Sequence, residues 1–573
     1  MLIPRGIIKL VAATGALAAL LGMTGPSAAQ QIPGTEERIP GTVVPGRPET
    51  PVAPLPKKPV ELEWTVILPG GTDVPASLAQ EKIDFADLKL TGVTVYGLEE
   101  LAGLFAEYRG QEITFGQLYG FARAIQARYQ GDGYLLSFAY VPPQRVKDGV
   151  YTIAVVEGFV DRILVEDVEG RLKGTLERQL APVTQERPLR APTLERYMLL
   201  ANDLAGITAA GVLQPAEQAP GASDLVIKVT HVPVNAGISF DNRGSKFEGP
   251  LRLAADARVN SLLGLGERFF ASASTTPAQP KELKAIDLGF LQPLGDEGIR
   301  VSGRAGYTRS EPGFTLSEFD ILTTGITADF DVSYPLLRSR ARNLTLTAGF
   351  SFSNTDVNLL DADFTEDRIR TLRGMATYSD TTLLNGITGT RIQITQGLPI
   401  LNASDSDRDD MSRSDAVQAF TKLDFSLARA QPLFAGFTLT GSATGQYSFD
   451  PLPASEEFAA GGPRFGRGYD LAEVTGEHGL AAALELSYDL RPDTPWVELI
   501  RPYVFYDIGK AWDKDTSDSE GLAESLASAG LGIQVTLPYR IALGLEYARP
   551  LTRASLSDSD KDGRVFFTLT AGF

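Results

Sequence analysis

Only two histidines, His231 and His478, stand in the 573 residues, far apart in the chain, and there is no cysteine. An imidazole or thiolate metal site, a thiol nucleophile and a His general base are therefore poorly supported. No disulfide framework can form, and neither a cofactor nor a metal is expected. Nothing assembles a nucleophile, a base and an orienting group, so the chain does not read as an enzyme. Two segments imitate ligand loops. Asp558-Ser559-Asp560-Lys561-Asp562-Gly563 opens like a calcium loop, but its twelfth position is Leu569 rather than Glu and no helices are expected to flank it. It reads as a polar loop, as does the acidic run Asp405 to Asp410. The stretch Gly461-Gly462-Pro463-Arg464-Phe465-Gly466-Arg467-Gly468-Tyr469-Asp470 is Gly-rich. It lacks the Lys-Ser/Thr of a phosphate loop, and no helix pattern follows it. Taken alone it is a flexible surface turn.

The elements around these residues are more informative. The net charge of −18 argues against a nucleic-acid partner. Arg5 and Lys9 precede an apolar run from Leu10 to Met23. Ser27-Ala28-Ala29 then supplies small residues for cleavage before Gln30, so residues 1–29 read as a signal peptide. Beyond residue 30 no apolar run is long enough to span a bilayer as a helix. The mean hydropathy of −0.04 suits a soluble protein or a barrel whose strands turn a polar face inward. Residues 30–79 begin Pro-rich, from Pro33 to Pro59, and read as an extended, mobile periplasmic tail.

Residues 80–157 read as one small α+β module. Ile83 to Tyr96 alternates as a strand, and Leu98 to Tyr108 has helical spacing. Thr114 can cap a second helix whose stripe is Leu118, Phe121, Ala122, Ile125 and Tyr129. Strands follow at Tyr134 to Val141 and Gly149 to Val156. Residues 158–233 repeat this β-α-α-β-β order, with strands from Val160, Ile207 and Asp224 and helices over Leu172 to Leu180 and Thr193 to Leu204.

From Val234 to Phe573 the pattern yields sixteen strand candidates. The connections after odd strands are long and those after even strands short, among them an expected loop over 357–367 after the seventh. Such parity is that of an up-and-down membrane barrel with long extracellular loops and short periplasmic turns. An even number closes the cylinder without an unpaired edge in lipid, and sixteen leave room for an aqueous lumen. The last strand puts Val565, Phe567, Leu569, Ala571 and Phe573 on one face, an apolar outer face ending in an interfacial aromatic. The expected fold is thus α+β followed by all-β membrane: two periplasmic modules, then a 16-stranded antiparallel transmembrane β-barrel over 234–573.

The module order, with Gly133-Tyr134, Tyr140, Val141 and Pro142 leading into the second strand, resembles POTRA domains, which receive unfolded polypeptides in the periplasm. The segment Phe465-Gly466-Arg467-Gly468-Tyr469 resembles the (Val/Ile)-Arg-Gly-Tyr/Phe signature of the sixth extracellular loop in POTRA-bearing polypeptide transporters, with Gly466 departing from the usual Val or Ile. Phe505-Tyr506-Asp507-Ile508-Gly509 is similar to the family's next motif, whose Phe505, Asp507 and Gly509 form the lumen partner. The resemblance implies an Arg467–Asp507 pair inside the lumen. An Arg fork on a carboxylate is a directional, charge-assisted way to tie a loop to the wall. Asp241-Asn242-Arg243-Gly244, Gly264-Leu265-Gly266-Glu267, Gln292-Pro293-Leu294-Gly295 and Tyr334-Pro335-Leu336-Leu337-Arg338 extend the likeness. Together they most resemble the two-partner secretion transporters (TpsB; ShlB/FhaC/HecB type), relatives of BamA. Many members carry an N-terminal plug helix, whereas the corresponding region here is Pro-rich.

That likeness implies a non-enzymatic transporter in the outer membrane of a Gram-negative bacterium. POTRA 1 would cover 80–157 and POTRA 2 158–233. The client would be an unfolded, β-rich TpsA-type exoprotein. Outer-membrane lipid and lipopolysaccharide would surround the cylinder, and the barrel assembly machinery would insert it. The alternatives are an assembly factor of the same superfamily and a diffusive porin. Assembly factors usually carry more POTRA units, and a porin needs neither the modules nor the Arg-Gly-Tyr loop.

Overall fold

The computed structural model describes residues 53–55, 64–66, 74, 78–216, 219–405, 410–514 and 523–573, with 64–66 described by backbone alone. The signal-peptide reading of 1–29 and the centre of the acidic run, 406–409, lie outside the described residues.

In the first module the expected strand over 83–96 divides at Ala86. Lys82–Phe85 pairs with a short strand Gln111–Thr114, and Asp87–Thr91 pairs in parallel with Val150–Val156. The expected helix over 98–108 is a short turn, Leu98–Ala102, which stops at Gly103, where glycine's poor helix propensity favours an end. Thr114 does cap the next helix, Phe115–Gly131. Its hydroxyl accepts from Gln117 N at 3.2 Å while Gln117 Oε1 accepts from Thr114 N at 2.8 Å, a reciprocal capping box. The stripe Leu118, Phe121, Ala122, Ile125 and Tyr129 is buried against Phe85, Leu101 and Ile153.

The second module has strands Phe159–Glu166, Ile207–Pro215 and Ala222–His231, with helices Gly170–Leu180 and Ala191–Asn202 packed on them. Leu176, Leu180, Leu194, Met198 and Leu225 lie in one core. Its sheet has four members. Trp64–Val66 joins in parallel at the edge of Ile207–Pro215, with Trp64 opposite Gly211, Thr65 opposite Val212 and Val66 opposite Leu213.

The remaining chain forms a closed barrel of sixteen antiparallel strands, each paired with its sequence neighbour. Strand one, Val234–Asp241, meets strand sixteen, Arg564–Gly572, from Gly237 opposite Gly572 to Asp241 opposite Thr568. The seam continues where Phe573 N donates to Ala236 O at 2.9 Å. Alternation builds the two faces. On strand sixteen Val565, Leu569 and Phe573 are exposed outward while Phe566 is buried inward. On strand thirteen, Leu499–Trp512, Val504 and Tyr506 face out while Tyr503, Phe505 and Asp507 face in.

One expected loop is absent. Strands seven, Arg342–Leu359, and eight, Ala362–Asp380, run on into a two-residue turn, Leu360-Asp361, with φ of +48° and +61°. That is the left-handed turn a tight hairpin needs. The extension carries Asn358, Asp363, Glu366 and Asp367. Its polarity suits a hairpin projecting beyond lipid and hid it from a pattern that seeks an apolar outer face.

The second module is bolted to the periplasmic end of the barrel. Asp203, just past helix Ala191–Asn202, takes both arms of Arg338 at 2.8 and 2.9 Å and Arg300 at 2.8 Å. Thr175 Oγ1 donates to Gly264 O at 2.8 Å, and Tyr197 Oη to Glu297 Oε1 at 2.6 Å. Of the tail reading over 30–79, only 53–55, 64–66, 74 and 78–79 are described residues, and at 53–55 the chain is held. Ala53 is buried, and Pro54 lies against Gly389 on strand nine, Ile387–Gly397. Ile392 and Ile394 face outward on that strand, so Gly389 faces the lumen. This part of the Pro-rich segment lies inside the barrel mouth.

Candidate functional site: the loop folded into the lumen

The connection between strands eleven, Phe437–Ser448, and twelve, His478–Tyr488, folds inward rather than outward. It carries a small hairpin, Phe458–Ala460 paired with Val474–Gly476. Small inward residues make room for it. Ala481 and Ala483 on strand twelve, and Ala511 on strand thirteen, pack with Phe458, Phe465, Tyr469 and Leu526 in a buried apolar cluster. A Cβ on Gly509 would come within 2.7 Å of Ala460 Cβ, so the wall must be glycine there.

Arg467 sits at the tip of this arrangement and is almost wholly buried. Its Nη2 donates to Asp507 Oδ1 at 3.0 Å, and its Nε donates to Oδ2 at 3.1 Å. The third arm, Nη1, donates to Glu485 Oε2 at 2.7 Å. The guanidinium carbon lies 3.6 Å from the centre of the Phe505 ring. Asp507 has no exposed surface and also accepts Arg467 N at 2.9 Å, Gly466 N at 3.3 Å and Ser528 Oγ at 3.3 Å. One carboxylate thus gathers the side chain and backbone of the loop and the hydroxyl of strand fourteen, Glu524–Leu537. Tyr469 Oη donates to Ala527 O at 3.1 Å.

The glycines have distinct reasons. Gly466 has φ +108°, and a Cβ there would meet Leu526 Cδ1 at 2.8 Å. The Val or Ile of the resembling motif would be strained in this backbone. A Cβ on Gly468 would come within 2.8 Å of Pro550 N and 2.9 Å of Arg549 C, so a side chain there would push the loop off that backbone.

The structure therefore brings Phe465, Gly466, Arg467, Gly468 and Tyr469 against Phe505, Asp507 and Gly509. Phe573 lies apart from them, at the seam. Sequence reasoning missed several anchors. Glu485 is the second acceptor of Arg467. Lys422 pairs with Glu456 at 2.7 Å, Arg413 with Glu457 at 2.9 Å, and Arg564 with Asp470 at 2.8 Å. For Glu485 a signal existed: alternation from the small residues Ala481 and Ala483 puts it on the inward face. The others depend on register across the barrel. Beside the loop remains a polar cavity of about 500 Å³ lined by Asp287, Arg304, Asp329, Arg373, Lys422 and Asp424. The two histidines are structural. His231 Nε2 is 3.1 Å from Asn260 O, and His478 Nδ1 accepts from Ser448 N at 3.2 Å. Asp558 of the calcium-like stretch pairs with Lys246 at 2.6 Å and also with Arg564.

A periplasmic α+β assembly on a closed sixteen-stranded barrel, with an Arg-bearing loop drawn into the lumen, defines a POTRA-plus-barrel protein of the outer membrane. Comparison with known families agrees. Residues 221–535 match the model of the haemolysin secretion/activation protein ShlB/FhaC/HecB, and residues 84–158 match the ShlB-type POTRA domain. The chain belongs to the ShlB/FhaC/HecB family, and its relatives are two-partner secretion transporters. It is 25% identical over 482 residues to the hemolysin transporter protein ShlB of Serratia marcescens, covering 82% of each chain. It is 22% identical over 469 residues to the heme/hemopexin transporter protein HuxB of Haemophilus influenzae, covering 81% of this chain and 82% of the relative. Among solved structures, CdiB from Escherichia coli superposes with a TM-score of 0.70 at 22% identity, covering 87% of this chain and 92% of that one.

Proposed function

We propose that this protein secretes one large, unfolded, β-rich exoprotein across the outer membrane. The periplasmic modules would receive the client and the lumen would pass it outward, without ATP. The observation that carries the reading is the loop held inside the barrel by Arg467, Asp507 and Glu485, beside a polar cavity and above a firmly docked α+β module. A diffusive pore needs none of these parts. Because the periplasm offers no ATP, folding of the client outside supplies the direction. A chain that folds on the far side cannot slip back, and several kcal/mol of folding free energy bias its passage. Recognition is by strand addition, in which an extended client pairs its backbone with an exposed sheet edge of the modules. The second module, which repeats the POTRA element order, adjoins the lumen and is the better docking platform. Outer-membrane lipid and lipopolysaccharide bathe the outer face, and the barrel assembly machinery inserts the cylinder. Co-expression with a candidate exoprotein from a neighbouring gene tests the reading. Export of that exoprotein only when the transporter is present supports it. Broad loss of outer-membrane proteins on deletion, with normal export of the exoprotein, would assign an assembly role instead.

A further inference from the structure

Arg467 fixes the tip of the inward loop, but the neck of that loop poses a separate problem. The two chains of the neck pair over three residues each, with Phe458 opposite Gly476 and Ala460 opposite Val474. So short a hairpin is marginal without outside support. Glu457 stands immediately before it and Glu477 immediately after it, so two carboxylates meet at its open end. Like charges placed across a strand pair push it apart.

A cation from another loop lies between them. Arg413 belongs to the connection between strand nine and strand ten, Thr421–Pro432. One of its nitrogens, Nη1, is 2.9 Å from Glu457 Oε1 and 2.9 Å from Glu477 Oε1, with Asp513 Oδ1 at 3.9 Å. Its Nη2 is 3.0 Å from Asp415 Oδ2 on the same connection. Glu477 is buried and also accepts Leu452 N at 3.0 Å and Lys514 N at 2.9 Å, so its position is fixed.

The connection that carries Arg413 is itself braced. Ser404 N donates to Arg368 O at 2.9 Å, and Ser412 N to Asp367 Oδ1 at 3.0 Å, both on strand eight where it projects beyond lipid. On the other side Ala454 N donates to Ser412 Oγ at 3.1 Å, and Ile369, Phe420 and Leu452 share one buried cluster. The projecting hairpin, the connection after strand nine and the neck of the inward loop therefore form one continuous extracellular brace.

We propose that Arg413 is the clasp of this neck: reaching in from an extracellular connection, it holds Glu457 and Glu477 together and so keeps the loop's tip in register with Asp507. It acts through Arg467 and is a positioning residue. The placement of the loop inside the lumen is thereby set from the outer surface. The inference rests on the transporter reading above.

The chain has no cysteine, so Val474→Cys, at a position buried in the neck, makes a single-site reporter. In full-length protein inserted in cells, Arg413→Ala should speed labelling of that cysteine by a membrane-impermeant maleimide about tenfold and cut exoprotein secretion about tenfold. Arg413→Lys should stay within about threefold of wild type in both, because one nitrogen makes both carboxylate contacts and an ammonium can replace it. Arg413→Ala/Glu457→Gln should regain slow labelling and part of the secretion, since it removes one stranded charge; a loop damaged only by lost packing would not recover. Unchanged labelling in Arg413→Ala overturns the clasp, and so does the absence of any recovery in the double variant. Faster labelling with wild-type secretion overturns its role in transport. If Arg413→Ala fails to insert, Arg413→Lys carries the test, and tenfold losses there overturn the proposal. If wild type exports no exoprotein, the transport reading fails, while the labelling arm still decides the clasp.

Discussion

Replacing Arg467 with Ala is the most direct test of the loop. Three guanidinium nitrogens bind two carboxylates, and Asp507 has no access to water. After truncation Asp507 keeps only Arg467 N, Gly466 N and Ser528 Oγ as donors, and Glu485 loses its partner. Stripping one member from a buried, hydrogen-bonded pair costs about 3–5 kcal/mol, mostly the penalty of the stranded charge. At about 1.4 kcal/mol per factor of ten, the docked state of the loop falls by roughly two to three and a half decades relative to undocked states. The sixteen-strand ladder does not involve this side chain, so the barrel should still insert and migrate as a folded species. Secretion of the co-expressed exoprotein should be lost, and residues 461–470 should exchange amide hydrogens faster. Arg467→Lys should fall between the two, since an ammonium keeps the charge but cannot fork onto Asp507. Normal secretion by Arg467→Ala, with the loop still protected from exchange, would refute the reasoning.

Gly466→Val puts a β-branched residue at φ +108° against Leu526, and the strain of about 1–3 kcal/mol should lower secretion while the Arg467–Asp507 pair stays intact. Protease sensitivity of the loop reports the loosening; a variant as resistant as wild type would contradict it. Asp203→Ala leaves Arg300 and Arg338 facing each other at the module–barrel joint, and spin labels on the second module and a periplasmic turn should show a broadened distance distribution. In the first module, burial pushes the Glu157 carboxyl up, but hydrogen bonds from Thr94, Tyr129 and Val95 outweigh it and hold the group below the usual carboxylate range. A folded value lowered in this way adds stability that is fully present above the unfolded value of about 4.3 and is lost as pH falls through the folded one. Glu157→Gln should therefore lower local stability at pH 7 by about 1 kcal/mol or less, since solvent screens the half-exposed group, read by hydrogen exchange in the full chain, with the difference vanishing once wild-type Glu157 is protonated.

What the sequence disclosed follows the reach of each signal. Alternation over ten residues is a local property, so the barrel strands could be read one by one. Val234–Asp241 starts and stops where its pattern does. The Thr114 cap was legible because its partner Gln117 is three residues away. The Arg467–Asp507 pair came from motif likeness, not spacing, since forty residues separate the two. Glu485 joins them only because the registers of strands twelve, thirteen and fourteen line Ala483, Asp507 and Ser528 across three strands. A slip of one residue would turn every one of these groups into lipid.

The placements of residues 53–55 and 64–66 were illegible for a different reason, and that reason bears on function. Trp64–Val66 enters the sheet through its backbone, and Pro54 touches Gly389 through a carbonyl. Backbone pairing asks almost nothing of side-chain identity, so no periodicity marks the segment that makes it. The same indifference is what a docking edge needs if it is to take an unfolded client of arbitrary sequence. A docking edge open to many sequences is also open to the transporter's own chain.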